Sequence, residues 1–344
     1  MPPGDGDARD APAPDGAPAP RIAVIVPAYN VERYVGATLR SVAEQTVTDW
    51  ECVVVDDGST DATAAVAAEV VQREPRMRLV RQTNRGLSGA RNSGLREMSS
   101  SVEYVAFLDS DDTWCPTALA ALVGALDRCP EAVGAWGWAE LMDESGEPLL
   151  PDFHPSRQRD RRGLAGRRLR TVAPDEPLRF TEIVVAGPIW PPAVGLHRRT
   201  AVAAVGFFDE SLQQLEDWDF YTRMARHGDY VPVLGQVAWY RQHPGQMTKR
   251  TVEFVCNLDR VRRKSWASPD NSPAQRAAAL RAWRQLQFRR AGRTAERLVR
   301  AVAGRRWADV APLALGTAVL TGQLVAGRPP RTTPRQVRWT RRTV

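Results

Sequence analysis

Asp109-Ser110-Asp111 places two carboxylates one residue apart, directly after the apolar run Tyr104 to Leu108. Acids spaced in this way at a strand end can hold a hard divalent cation such as Mg²⁺ or Mn²⁺. Such an ion takes one or two carboxylates and keeps positions for phosphate oxygens and water. It stabilises charge developing on a departing diphosphate by electrostatics, with no covalent intermediate. The same short pattern also serves as a helix-capping turn, so its meaning depends on what surrounds it. The four cysteines, Cys52, Cys115, Cys129 and Cys256, are widely spaced with no CxxC pair. They suggest neither a disulfide framework nor a zinc site, and read as free thiols in a reducing compartment.

The elements that must position these acids alternate between strand and helix, which predicts an α/β fold, a doubly wound and mostly parallel sheet. Ile22 to Val26 and Cys52 to Val55 read as buried strands, Arg78 to Arg81 as a short one, and Tyr104 to Leu108 as the strand feeding the acids. Helices are expected over Tyr34 to Ala43, up to about Val71, over Gly89 to Met98 and from Pro116 to about Asp127. Polar clusters at the carboxyl ends of three of these strands should converge on one crevice. A fifth strand is expected at Ala132 to Ala139. From about Met142 to Glu182 the pattern dissolves into Pro, Gly, Asp and Arg, which suggests a mobile insertion over the site. A strand (Ala193 to His197), helices (Arg199 to Val205, Asp217 to His227) and a strand (Gln236 to Arg241) follow. Residues 1–20 read as a disordered leader, 21–256 as the main domain, and 257–344 as a basic helical region.

Five segments stand in one order: Val26-Pro-Ala-Tyr-Asn30, Val54-Val-Asp-Asp-Gly-Ser-Thr-Asp61, Asn84-Arg-Gly-Leu-Ser-Gly-Ala-Arg-Asn92, Phe107-Leu-Asp-Ser-Asp-Asp112 and Glu216-Asp-Trp-Asp219. Together they resemble the motifs of glycosyltransferase family 2 over about residues 22 to 245. The resemblance implies a GT-A fold, Rossmann-like in its sheet, a UDP-, GDP- or TDP-linked sugar donor, and inversion at the anomeric carbon. By position, Pro27, Ala28, Tyr29 and Glu32 correspond to the first nucleotide-contact loop. Asp57 matches the acid that accepts a hydrogen bond from a base imide, a contact suited to uracil or thymine. Arg91 falls where relatives reach the nucleotide or its phosphates, and Asp109 where they contact ribose or metal. Asp111 is the expected metal ligand. His243 is a second ligand or a structural hydrogen-bonder.

Glu216 and Asp217 resemble the family's acidic pair near the acceptor, with Asp217 as general base. Trp218 reads either as a sugar-stacking ring or as a core tryptophan. Residues Gly187 to Pro192, with Trp190, read as an acceptor-side loop or a buried turn. Asp56 reads as structural, Asp61 as a helix cap, and Asp112 as a possible cap of the helix that follows. The resemblance thus implies a divalent cation, a nucleotide-sugar donor, and a saccharide, lipid-linked or small-molecule hydroxyl acceptor.

Net charge is +7, yet residues 257–344 carry nineteen arginines and one lysine against four acids, a local charge of +16. That asymmetry would attract an anionic membrane surface, a phosphate-bearing acceptor or nucleic acid, or is simply the solvated face of a helical appendage. Nucleic acid ranks last as a partner because no folded reader motif accompanies the charge. The leader lacks the charged-then-apolar order of a signal peptide, which predicts a cytoplasmic protein, peripheral at most to the inner membrane face. Two competing functions are a catalytically silent sugar-nucleotide-binding scaffold and a nucleotidyltransferase. The second would want a Gly-rich, basic loop after the first strand, and Val26 to Arg33 offers none.

Overall fold

The computed structural model describes residues 19–149, 162–165, 168–246, 251–305 and 307–326. The chain divides into two compact units, one drawn from Met1–Gly163 with Thr171–Gln246 and the other from Leu164–Arg170 with Met247–Val344. The first unit is a mixed α/β domain.

Its sheet opens with β1 (Ile22–Ala28) and β2 (Trp50–Asp56), both buried along their whole length, as continuous Val/Ile runs require when helices cover both faces. Between them and after them come α1 (Val35–Ala43), α2 (Thr63–Val71), β3 (Met77–Arg81), α3 (Gly86–Glu97), β4 (Tyr104–Phe107), β5 (Thr113–Trp114), α4 (Ala118–Arg128) and β6 (Gly134–Met142). A separate two-stranded pair, β7 (Arg162–Ala165) and β8 (Arg168–Thr171), falls largely in the second unit, and the first resumes with α5 (Phe180–Ala186). The unit is completed by a short 3₁₀ turn at Pro192–Val194, β9 (Gly195–Arg198), α6 (Arg199–Val205), α7 (Glu216–Met224) and β10 (Tyr230–Arg241).

The strand order is β3-β2-β1-β4-β9-β6-β10-β5. β1 runs parallel to β2 and β4, β2 to β3, and β6 to β10, whereas β9 is antiparallel to both β4 and β6. The register sets Ala28 beside Asp56 and Ile25 beside Phe107, so β1, β2 and β4 deliver their carboxyl ends to one edge.

Three features depart from expectation. β10 starts at Tyr230 rather than Gln236, because register shifts between Pro232 and Ala238 let a Pro- and Gly-containing stretch stay paired with β6. Helix α5 lies inside the expected insertion, and the described part of that segment is tied down. Asp143 Oδ1 accepts backbone N–H groups from Ser145, Gly146 and Glu147, pinning the turn after β6. Residues 150–161 and 166–167 of the insertion, His154 among them, lie outside the described residues, as do 1–18 of the leader. His197 is a core residue, stacked on Tyr221 and hydrogen-bonded through Nδ1 to the Tyr230 hydroxyl at 3.2 Å; burial pushes its imidazole down to about 3, so it stays neutral.

The second unit is helical: α8 (Thr251–Ala267), α9 (Pro273–Ala303) and α10 (Trp307–Ala326), with α9 packed against the other two. Helix α8 begins ahead of the boundary expected at 257. Ser272 caps α9, its hydroxyl accepting the Gln275 N–H while Gln275 reaches back to the Ser272 N–H, and Pro273 fills the first helical position. Among the described residues no helix is long and apolar enough to cross a membrane.

Candidate active site

β4 gives out at Phe107, and the chain folds back at once: the Asp112 N–H donates to the Asp109 carbonyl at 3.0 Å. The Thr38 hydroxyl, rising from α1, lies 2.9 Å from the Ser110 carbonyl and 2.7 Å from that of Asp112. Asp112 is wholly buried and accepts the Arg241 backbone N–H at 3.0 Å, while Arg241 Nε donates to the Asp111 carbonyl at 2.8 Å. Asp112 is therefore no cap for α4, which begins at Ala118. It stitches the acid turn to the end of β10. Burial holds its carboxyl well above the usual range, reinforced by Asp111 and Asp109.

With its backbone pinned, the turn presents Asp109 and Asp111. Asp111 Oδ2 lies 2.9 Å from His243 Nε2, just beyond β10, and the His243 ring packs 4.8 Å from that of Tyr34. The expected metal pair is thus brought together, both side chains partly exposed. Among the described residues no group of three His, Cys, Asp or Glu side chains could hold a metal. Two protein ligands suit an ion that keeps water and phosphate in its shell. The buried Asp112 Oδ2 also lacks a hydrogen-bond partner among the described residues. The donor set fits Mg²⁺ or Mn²⁺. Asp111→Ala or His243→Ala should weaken Mn²⁺ binding by at least about tenfold, read as free Mn²⁺ by electron paramagnetic resonance.

Arg91 departs from its expected role. It is 1% exposed, and its guanidinium spans Asp109 Oδ1 at 2.5 Å and Glu216 Oε1 at 2.6 Å. Helix α3 causes this by lying close on β1: a Cβ on Gly94 would sit 2.4 Å from Ile25 Cγ2, so residues on that face are driven inward. Arg91 is committed to carboxylates rather than open to a diphosphate. Glu216 is corrected with it, since a buried carboxylate paired to Arg91 is a scaffold for the site and not an acceptor contact.

Asp217 follows on the first turn of α7, after Leu215 in a left-handed conformation (φ 63°). Its Oδ1 accepts the Trp218 N–H at 2.7 Å. That N–H and Arg91 favour the carboxylate, but burial and the neighbouring Glu216 outweigh them and push Asp217 up to about 7. Asp109 is raised too, chiefly by burial, against the pull of Arg91. Trp218 is a core tryptophan: it is buried, its indole N–H donates to the Ile183 carbonyl, and Gly187 lies flat on its ring, where a Cβ would come within 3.0 Å. Its sugar-stacking reading is withdrawn. Trp190 keeps a partly exposed ring, packed edge-on to Tyr240 at 4.4 Å, while Pro188, Ile189 and Pro192 are buried.

On the nucleotide side, Pro27 and Ala28 are buried within β1, and the Ala28 carbonyl accepts the Asp57 N–H at 2.8 Å. Tyr29 emerges past the strand end with its ring 48% exposed. Asp57 is held by Gln82 Nε2 at 2.6 Å and the Arg85 N–H at 2.8 Å, both on Oδ1. Glu32 is a correction: Oε2 accepts the Ala62 N–H at 2.7 Å, capping α2, as does Asp61 through the Thr63 N–H at 2.9 Å. Asp56, as expected, is structural, accepting from Ser59 N–H and paired with Arg81 at 3.2 Å. Sequence reasoning missed Thr38, Gln82, Tyr34 and Arg241. Arg241 alone carried a signal, standing two residues before His243.

The carboxyl ends of β1, β2 and β4 gathered at one edge of such a sheet, with acids after β2 and β4 and the carboxylate of Asp217 on α7, give this domain the GT-A fold. Residues 23–175 match the family described as Glycosyl transferase family 2. Glycosyltransferase GlyA of Streptococcus pneumoniae serotype 4 is 49% identical over 92 residues, 27% of this chain and 13% of that protein. The uncharacterized glycosyltransferase EpsJ of Bacillus subtilis is 25% identical over 232 residues, 67% of this chain and 63% of that one. The chain thus spans less than two thirds of these relatives' length. Among solved structures, S. aureus TarS in complex with UDP-GlcNAc aligns over 90% of this chain and 82% of its own with a TM-score of 0.64 at 19% identity. The mannosyltransferase PcManGT of Pyrobaculum calidifontis, with GDP-Man and Mn²⁺, aligns over 92% and 88% with a TM-score of 0.60 at 20% identity.

Proposed function

We propose that the protein transfers a sugar from a nucleoside-diphosphate donor, UDP- or TDP-linked, to a hydroxyl acceptor by direct displacement with inversion. The observation that carries this reading is the placement of Asp217 on the first turn of α7, next to Glu216, which Arg91 ties to Asp109 of the acid turn; burial pushes its carboxyl up to about 7. Asp217 takes the acceptor hydroxyl proton as the new oxygen–anomeric carbon bond forms. The bond from that carbon to the diphosphate breaks, its electrons leave with the nucleotide, and the configuration inverts. Tyr29 and Asp57 receive the base, and Trp190 borders the acceptor. A divalent ion held by Asp111 and His243 would supply charge neutralisation for the leaving diphosphate. TarS and PcManGT, bound to UDP-GlcNAc and GDP-Man, support a nucleotide-sugar donor for this fold.

The acceptor is a saccharide, a lipid-linked intermediate or a small molecule, met on the cytoplasmic side. The +16 region from residue 257 adds an anionic membrane surface as partner. A donor panel with Mn²⁺ or Mg²⁺ tests the reading: released UDP or TDP supports transfer, released pyrophosphate means nucleotidyl chemistry, and binding without turnover leaves a scaffold. Because the base must be ionised, kcat should rise about tenfold per pH unit below 7 and level off above it, measured as initial rates across pH 5 to 9.

A further inference from the structure

The second unit leaves large apolar side chains in water. Phe288 is 72% exposed, Val299 67% and Val302 45% on α9, and Trp307 66% and Leu315 68% on α10. Scattered exposed hydrophobics are ordinary, but these are arranged. At about 100° per residue, positions 288, 299 and 302 fall within an arc of roughly 60° on α9. Val302 and Trp307 flank the turn at Gly304–Arg305, so the row on α9 leads directly into α10. On α10 the exposed small residues Ala314 and Ala318 lie on the side bounded by Trp307 and Leu315. Asp309 is the one charged residue along its length.

Arginines accompany the apolar rows. Arg284 is exposed on the same arc as Phe288, and Arg305 is exposed at the turn that joins the two rows. The whole region from 257 carries +16. We propose that the apolar rows of α9 and α10, with these arginines, seat the chain on an anionic lipid bilayer, the helices lying in the plane of the interface. The proposal deepens the membrane partner named above and rests on that reading. A second copy of the chain is disfavoured because it would bring two strongly positive surfaces together. Nucleic acid would use the charge but leave the apolar rows unexplained. A bilayer with acidic headgroups uses both, apolar side chains entering the headgroup boundary while arginines meet phosphates.

The test is co-sedimentation of the full chain with phosphatidylcholine vesicles, with and without phosphatidylglycerol. Wild type should pellet with the anionic vesicles and stay in solution with the neutral ones. The combined variant Phe288→Glu/Val299→Glu/Trp307→Glu should lose at least about tenfold in vesicle affinity. Arg284→Gln/Arg305→Gln should lose roughly twenty-five-fold, since each arginine near the surface is worth about fivefold. Circular dichroism establishes that both variants are folded. Release of nucleotide from the donor without vesicles should be unchanged in both, so failure of the catalytic reading would appear there and not in sedimentation. The proposal is overturned by indifference of wild type to lipid charge, by full binding of the apolar variant, or by light scattering that finds a dimer which this variant dissolves.

Discussion

Asp217→Asn should lower kcat by about 10²–10⁴-fold while nucleotide-sugar binding stays near wild type. Asparagine keeps the size and can keep the contact with the Trp218 N–H, so the first turn of α7 survives. What disappears is the ability to take a proton, and with it the rise of rate through pH 7. Stopped assays with donor and acceptor measure the turnover, and calorimetric titration with the intact donor measures binding. A variant that lost binding and turnover together would place Asp217 in the donor pocket instead.

Arg91→Met should cost about 3–5 kcal/mol of stability, because it leaves the buried carboxylate of Glu216, and the partly exposed one of Asp109, without their cation. For a unit of this size that corresponds to a fall in Tm of roughly 10 °C, measured by thermal denaturation followed by circular dichroism. Methionine fills the aliphatic volume, so lost packing is small and the loss reports on charge. The sign of a second effect follows from the same pair: with the cation gone, Asp217 is raised further and the pH profile moves to the alkaline side. Arg91→Lys should recover part of the stability, since one ammonium cannot span both Asp109 and Glu216 as the guanidinium fork does.

The strands were legible because continuous apolar runs ending in Asp or Pro leave little choice of structure. β1, β2 and β4 fall where the runs Ile22 to Val26, Cys52 to Val55 and Tyr104 to Leu108 predict, to within a few residues. The closeness of Asp111 and His243 was legible too, Asp111 by its place after β4 and His243 through the family's motif order. What could not be read was which charges would spend themselves on one another. Arg91 and Glu216 are 125 residues apart in sequence, and no local spacing announces their pairing. Glu32 looked available until the fold brought the α2 N-terminus within reach of its carboxylate. Trp218 had the residue type of a sugar platform, but α5, hidden in a Pro- and Arg-rich stretch, supplied the carbonyl that buries its indole.

The stitch between Asp112 and the Arg241 backbone also bears on the order in which the molecule is made. During synthesis the acid turn leaves the ribosome 129 residues ahead of its partner. Until β10 arrives, β6 has an open edge, Asp112 has no donor for its inward carboxylate, and His243 does not yet exist to face Asp111. A contact that closes so long a loop forms late, after the local pairing of β1, β2 and β4. The nascent chain can therefore complete the half built on β1, β2 and β4 well before the acid turn is fixed, and the candidate site is whole only when β10 has zipped onto the sheet.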